Sequence, residues 1–169
     1  MIVAQIFLEL LKNKIRPVSK KSPGNSEHFL QVDFISKKIV PTFYTILQKQ
    51  DKDDQDAAKT VLLNNLENLV KHMAPKGPFF QGETFGYVDI MLAPYAIRLG
   101  LLSHYRDLVV PKTGVFERFQ TWFQAVQSRE SVKATVPEWN RLVQMYQRYA
   151  DNSAQTEVAD AIRKGGVLP

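Results

Sequence analysis

The sequence predicts an all-α protein, and three observations carry that expectation. Apolar residues recur at helical spacing through most of the 169 residues. No alternating strand pattern lasts long enough to build a sheet, and prolines and glycines gather where the helical period breaks. With 44% hydrophobic and 23% charged residues, the chain can bury one core of ordinary size.

Taken in order, Ile2, Ile6, Phe7, Leu10 and Leu11 mark a helix over residues 2–15, with lysines behind its end. The stretch RPVSKKSPGNS, Arg16 to Ser26, carries two prolines and a glycine and cannot continue that helix, so it reads as a linker. From Glu27 to Gln50 a wide apolar stripe (Phe29, Leu30, Phe34, Ile35, Ile39, Val40, Phe43, Ile46, Leu47) predicts a long helix bent at Pro41. The charged run DKDDQD, Asp51 to Asp56, lacks the glycine and the bidentate glutamate of a calcium loop and reads as a solvated helix start. Leu62, Leu66, Leu69, Val70 and Met73 give the next helix, ended by Pro75 and Gly77. Pro75 to Phe85 is a turn-rich loop with inward aromatic side chains.

Phe85 to Gly100, FGYVDIMLAPYAIRLG, is apolar almost all round, yet it holds Asp89 in its first turn, Pro94 in its middle and Arg98 near its end. Three further helices are expected over Val115 to Ser128, Pro137 to Ala150 and Ala154 to Lys164, the last stopped by Gly165. With Gly86 as N-cap, Asp89 stands at the third helical position, where a carboxylate reaches back to the N-cap N–H and suits the positive helix end. The pattern makes Asp89 a structural cap rather than a catalytic acid.

The net charge of +5 invites nucleic acid or an anionic membrane as partner. Residues 1–40, however, hold seven basic against three acidic side chains, so the excess is a local, solvated basic segment and neither partner is expected. No apolar run approaches the ~18 residues of a membrane span, and MIVAQIFLELL is broken by Gln5 and Glu9. A cytoplasmic protein is expected. The absence of cysteine excludes disulfides, thiolate zinc sites and a cysteine nucleophile within these residues. His28, His72 and His104 have no ligand-type partner at helical spacing, so no metal is expected. No nucleophile elbow and no phosphate-cradling glycine loop occurs.

Phe79-Phe80-x-Gly82 followed by Gly86-x-x-Asp89-x-x-x-x-Pro94 resembles the buried capping-box helix in the C-terminal helical domain of glutathione transferases. Most members carry Ser or Thr where this chain has Gly86, so only the aspartate half of the reciprocal cap is expected. Pro94 with Arg98, and Trp139 with Tyr146 seven residues on, look like the omega class, in which an arginine, a tryptophan and a tyrosine line the acceptor pocket. The resemblance therefore implies substrate-binding roles for Arg98, Trp139 and Tyr146; from the residues alone, Arg98 could equally snorkel to the surface and both aromatics could be core.

It also implies three parts: residues 1–15 as the remnant last helix of a thioredoxin-like domain, 16–26 as linker, and 27–169 as the helical domain. Phe7-Leu8-Glu9 matches the start of that remnant helix, so Met1 falls at or just after the serine that holds glutathione in the family. Glutathione would be the co-substrate of the full family architecture, with a small electrophile or disulfide as acceptor, and this chain is expected to bind no glutathione tightly and to be inactive alone. Apolar surface left uncovered would favour a homodimer. The alternative is a non-catalytic interaction module of the same fold.

Overall fold

The protein is described here by a computed structural model covering residues 25–165 and Leu168. The helix expected over residues 2–15 and nearly all of the linker lie outside the described residues. Among those described the chain is all-helical, and its single β-bridge joins Phe79 to Gly82. The first helix begins at Asn25, inside the stretch read as linker.

Helix α1 (Asn25–Phe34) runs through a π turn (Ile35–Ile39) into α2 (Val40–Gln48). The cause is Pro41, which has no N–H to donate and whose ring crowds the carbonyl four residues back. The backbone widens before it, so that Val40 N–H reaches the Ile35 carbonyl across five residues. The hydroxyls of Thr42 and Thr45 donate to the Lys38 and Pro41 carbonyls at 2.6 and 2.9 Å. Ile35, Ile39, Phe43, Ile46 and Leu47 stay fully buried through this change of pitch, whereas Phe29 and Leu30 on α1 are exposed.

Asp51 caps α3 (Lys52–Lys71), accepting from the N–H groups of Asp53 and Asp54 at 3.0 Å each. The acidic run is thus a helix start. The loop after α3 folds back on itself: Phe79 and Gly82 exchange backbone hydrogen bonds of 2.8 and 3.1 Å, and Phe80 accepts from Ala74 N–H at 2.8 Å. Gly77, at φ 90°, lies so close to Gly82 that a Cβ would fall 2.4 Å from its carbonyl carbon, which only glycine tolerates.

Helix α4 (Tyr87–Arg106) is the central element and runs six residues beyond Gly100, to a left-handed Asp107. It is followed by α5 (Phe116–Ser128), the short α6 (Glu130–Lys133), α7 (Trp139–Ala150) and α8 (Glu157–Arg163). Glu138 caps α7 through Asn140 and Arg141 N–H, and Thr156 caps α8 through Ala159 N–H. Arg106, in the last turn of α4, donates to the carbonyls of Ile46, Leu47 and Ala150, closing the C-terminal ends of α2 and α7 with one side chain.

Asp89 is completely buried at the start of α4. One carboxylate oxygen accepts from Gly86 N–H at 2.7 Å; the other accepts from Phe80 N–H at 2.8 Å and Trp122 Nε1–H at 2.6 Å. Burial pushes the carboxyl pKa up, against the pull of these donors. The Asp89 carboxylate thus bonds the N-cap N–H of its own helix. It also reaches the loop and α5, which the sequence motif alone does not state.

Asp89→Asn leaves one donor facing an amide NH2 and is expected to lower stability by about 1–3 kcal/mol, and Asp89→Ala by more, read as a drop in urea midpoint. Gly86→Ser should act in the opposite direction. A Cβ there meets only the Gln81 side-chain end, at 3.4–3.7 Å, and a restored hydroxyl cap should add about 0.5–1 kcal/mol.

Candidate functional site

The site forms around Arg98. It lies one turn after Pro94 on α4 and is 2% exposed. Its Nη1 donates to the Pro94 carbonyl at 2.7 Å and its Nε to the Tyr146 hydroxyl on α7 at 2.9 Å. Nη2 is buried without an acceptor. Among the described residues no carboxylate forms an ion pair with this guanidinium. Enclosing a cation without a counter-charge is costly, so Arg98 does not behave as a surface residue whose stem happens to be covered.

Aromatic rings build the surroundings. The guanidinium carbon is 5.9 Å from the centre of the Tyr146 ring. Tyr146 stacks on Tyr44 of α2 at 6.4 Å and meets the edge of Phe43 at 6.2 Å, and Tyr149 packs against both Tyr44 and Tyr146. Tyr95, on α4, lies 6.4 Å from Phe43. Burial pushes the Tyr95 hydroxyl up to about 12, with Tyr146 adding to the rise and Arg98 opposing it. The Tyr44 pKa is raised strongly, first by burial and then by Tyr146. These phenols therefore stay neutral donors, and the one fixed charge among them is positive.

Trp139 is placed elsewhere. As the first residue of α7 it is 43% exposed, with its ring against Gly100 and 6.3 Å from the His104 ring. A Cβ on Gly100 would come within 3.1 Å of the indole, so the glycine makes room for it. Positions two apart on a helix project about 200° apart, which puts Gly100 and Arg98 on opposite sides of α4. Arg98 and Tyr146 are thus brought together, and Trp139 instead lines a groove of about 410 Å³ between α4, α5 and the segments before α5 and α7.

The sequence pattern did not single out Tyr44, which reaches the site from α2, or Tyr95, which stands three residues before Arg98 on α4. It also passed over Arg106 and Arg118. A basic residue in the last turn of α4 was the available signal for Arg106; nothing local marks Arg118, which donates from α5 to the Ala74 and Phe79 carbonyls at 2.9 and 2.6 Å. Among the described residues no group of three or more His, Cys, Asp or Glu could hold a metal ion, and no helix is long and apolar enough to cross a membrane.

Residues 52–125 match the family model described as glutathione S-transferase, C-terminal domain. Glutathione S-transferase DHAR2 of Arabidopsis thaliana is 31% identical over 134 residues, which are 78% of this chain and 58% of that protein. The probable cytosolic glutathione S-transferase DHAR1 of Oryza sativa subsp. japonica is 31% identical over 98 residues, 57% of this chain and 44% of that one. Among solved structures, glutathione transferase Omega 3C from Trametes versicolor superposes with a TM-score of 0.70 at 28% identity, covering 90% of this chain and 64% of that chain. Omega 1C from the same species gives a TM-score of 0.60 at 21% identity, covering 89% and 65%, a likeness of fold. The chain thus spans less than two thirds of the length of each.

The raised tyrosine pKa values have a defined sign. A group held above its unfolded value, about 10 for tyrosine, contributes stability that is complete below that pH and is lost as pH rises through the folded value. Of the six tyrosines, Tyr44 and Tyr95 should therefore ionise only as the protein unfolds near or above pH 12, seen as a late, cooperative step in an ultraviolet alkaline titration. Ionisation of Tyr44 and Tyr95 in a non-cooperative step near pH ~10 would contradict the buried cluster.

Proposed function

The chain carries a glutathione S-transferase C-terminal domain, and on that premise we propose that it supplies the acceptor-substrate side of an omega-like, glutathione-dependent thiol transferase acting in the cytoplasm. The observation that carries this reading is the buried Arg98 guanidinium, with Nη2 unpaired and Nε on the Tyr146 hydroxyl. An unpaired N–H in an aromatic enclosure suits the carbonyl, carboxylate or other polar group of a small electrophile or disulfide, while the rings take its apolar part. Trp139, against Gly100 on the other side of α4, is left out of this acceptor site. The attacking thiolate would come from outside these 169 residues, which contain no cysteine. Glutathione is accordingly the co-substrate of the complete arrangement and is not expected to bind this chain tightly. A homodimer is the proposed assembly, because the adjacent Phe29 and Leu30 on α1 are 65% and 66% exposed.

A second reading has one observation in its favour. The chain's own Pro94 carbonyl and Tyr146 hydroxyl already occupy two edges of the Arg98 guanidinium, as in a non-catalytic interaction module whose ancestral pocket has filled in.

Calorimetry separates the two. The purified 169-residue chain, titrated with glutathione and separately with hydroxyethyl disulfide, should show no tight binding of the first and measurable binding of the second. Arg98→Met should weaken the second by about tenfold, equivalent to 1.4 kcal/mol, with Arg98→Lys intermediate. No binding of any disulfide would favour the interaction module. Saturable glutathione-dependent thiol transfer by this chain alone would refute the assignment of the chemistry to residues outside it.

A further inference from the structure

The groove beside Trp139 lies on the side of α4 away from Arg98, and the acceptor reading does not use it. Its volume, about 410 Å³, falls within the range of small-molecule sites. Gly100 and Ser103 of α4 form part of the lining, and Phe119 and Phe123 of α5, stacked at 6.1 Å, stand across from the Trp139 indole. Three of the few large apolar side chains left exposed, Val109 (62%), Val136 (39%) and Trp139, gather at this one place. Solvated apolar surface concentrated on a concavity is the signature of a recognition site rather than of scattered surface residues.

Charge narrows the occupant. Among the described residues, Lys112 is the only charged one lining the groove. It is exposed and has no ion pair among the described residues. The loop that carries it is tied down, because Gln120 Nε2 of α5 donates to the Pro111 carbonyl at 3.0 Å. A flat apolar body would therefore lie between the indole and the phenylalanine rings while a single negative group meets the ammonium at the edge. A neutral body would leave Lys112 unused, and a polyanion would bring charge against apolar walls.

We propose that this groove is a second binding site, independent of Arg98, for a small aromatic monoanion of the aryl carboxylate class. The test uses the 169-residue chain and two probes of matched shape, naphthoate and naphthamide, in calorimetric titration. Naphthoate should bind at least tenfold more tightly than naphthamide. Lys112→Gln should abolish that difference, and Val136→Glu, a surface change at the same rim, should weaken naphthoate selectively. Ser103→Trp, which fills the groove from an exposed position, should remove binding of both, with an unchanged thermal midpoint reporting an intact fold. Equal affinity for the two probes, or naphthoate binding that survives both Lys112→Gln and Ser103→Trp, would overturn the proposal.

Discussion

The carboxylate of Asp89 is the point on which the arrangement depends. It is fully enclosed, and its two oxygens join the Phe80 loop and the Gly86 start of α4 to Trp122 on α5. Desolvation disfavours the charge, and three donors aimed at it offset that cost. The geometry is therefore demanding, since loss of any one donor exposes the penalty of the others. Everything that follows along α4, including the register that sends Arg98 to one side and Gly100 to the other, is measured from this anchored first turn.

Arginines close the structure in a complementary way. Arg106 ties the ends of α2 and α7 to α4, and Arg118 ties the Phe79 loop to α5. Both find carbonyl oxygens left over where helices and turns end, so their positive charge is spread over several backbone dipoles. Arg98 differs because it bonds within its own helix and to a phenol; one of its nitrogens, like Nη1 of Arg118, finds no acceptor. What separates Arg98 from the other two is its setting, among aromatic rings rather than at a junction of chain ends.

Much of the fold was legible because helical periodicity is a local property. The helices over Lys52–Lys71, Phe116–Ser128 and Trp139–Ala150 follow from the spacing of their own apolar residues and from caps within a few positions. The last turns of α4 and the four-residue helix Glu130–Lys133 were not legible, because contacts from other helices rather than their own pattern sustain them. Within the site, the meeting of Arg98 with Tyr146 was expected from resemblance. The separation of Trp139 was not: its position depends on the space left by Gly100, and the absence of a side chain leaves no mark in a hydrophobic pattern.

The π turn before Pro41 has a consequence for how α1 meets its surroundings. To its backbone hydrogen bonds the segment from Asn25 to Gln48 is nearly one rod. To its side chains it is two, because a π turn adds one residue and so rotates everything upstream by about 100° relative to a regular helix. Which face Phe29 and Leu30 present is thus set by a proline more than ten residues downstream. A proline usually regarded as a local defect here acts as a phase shifter, and it decides which stripe of α1 is offered to whatever the protein meets.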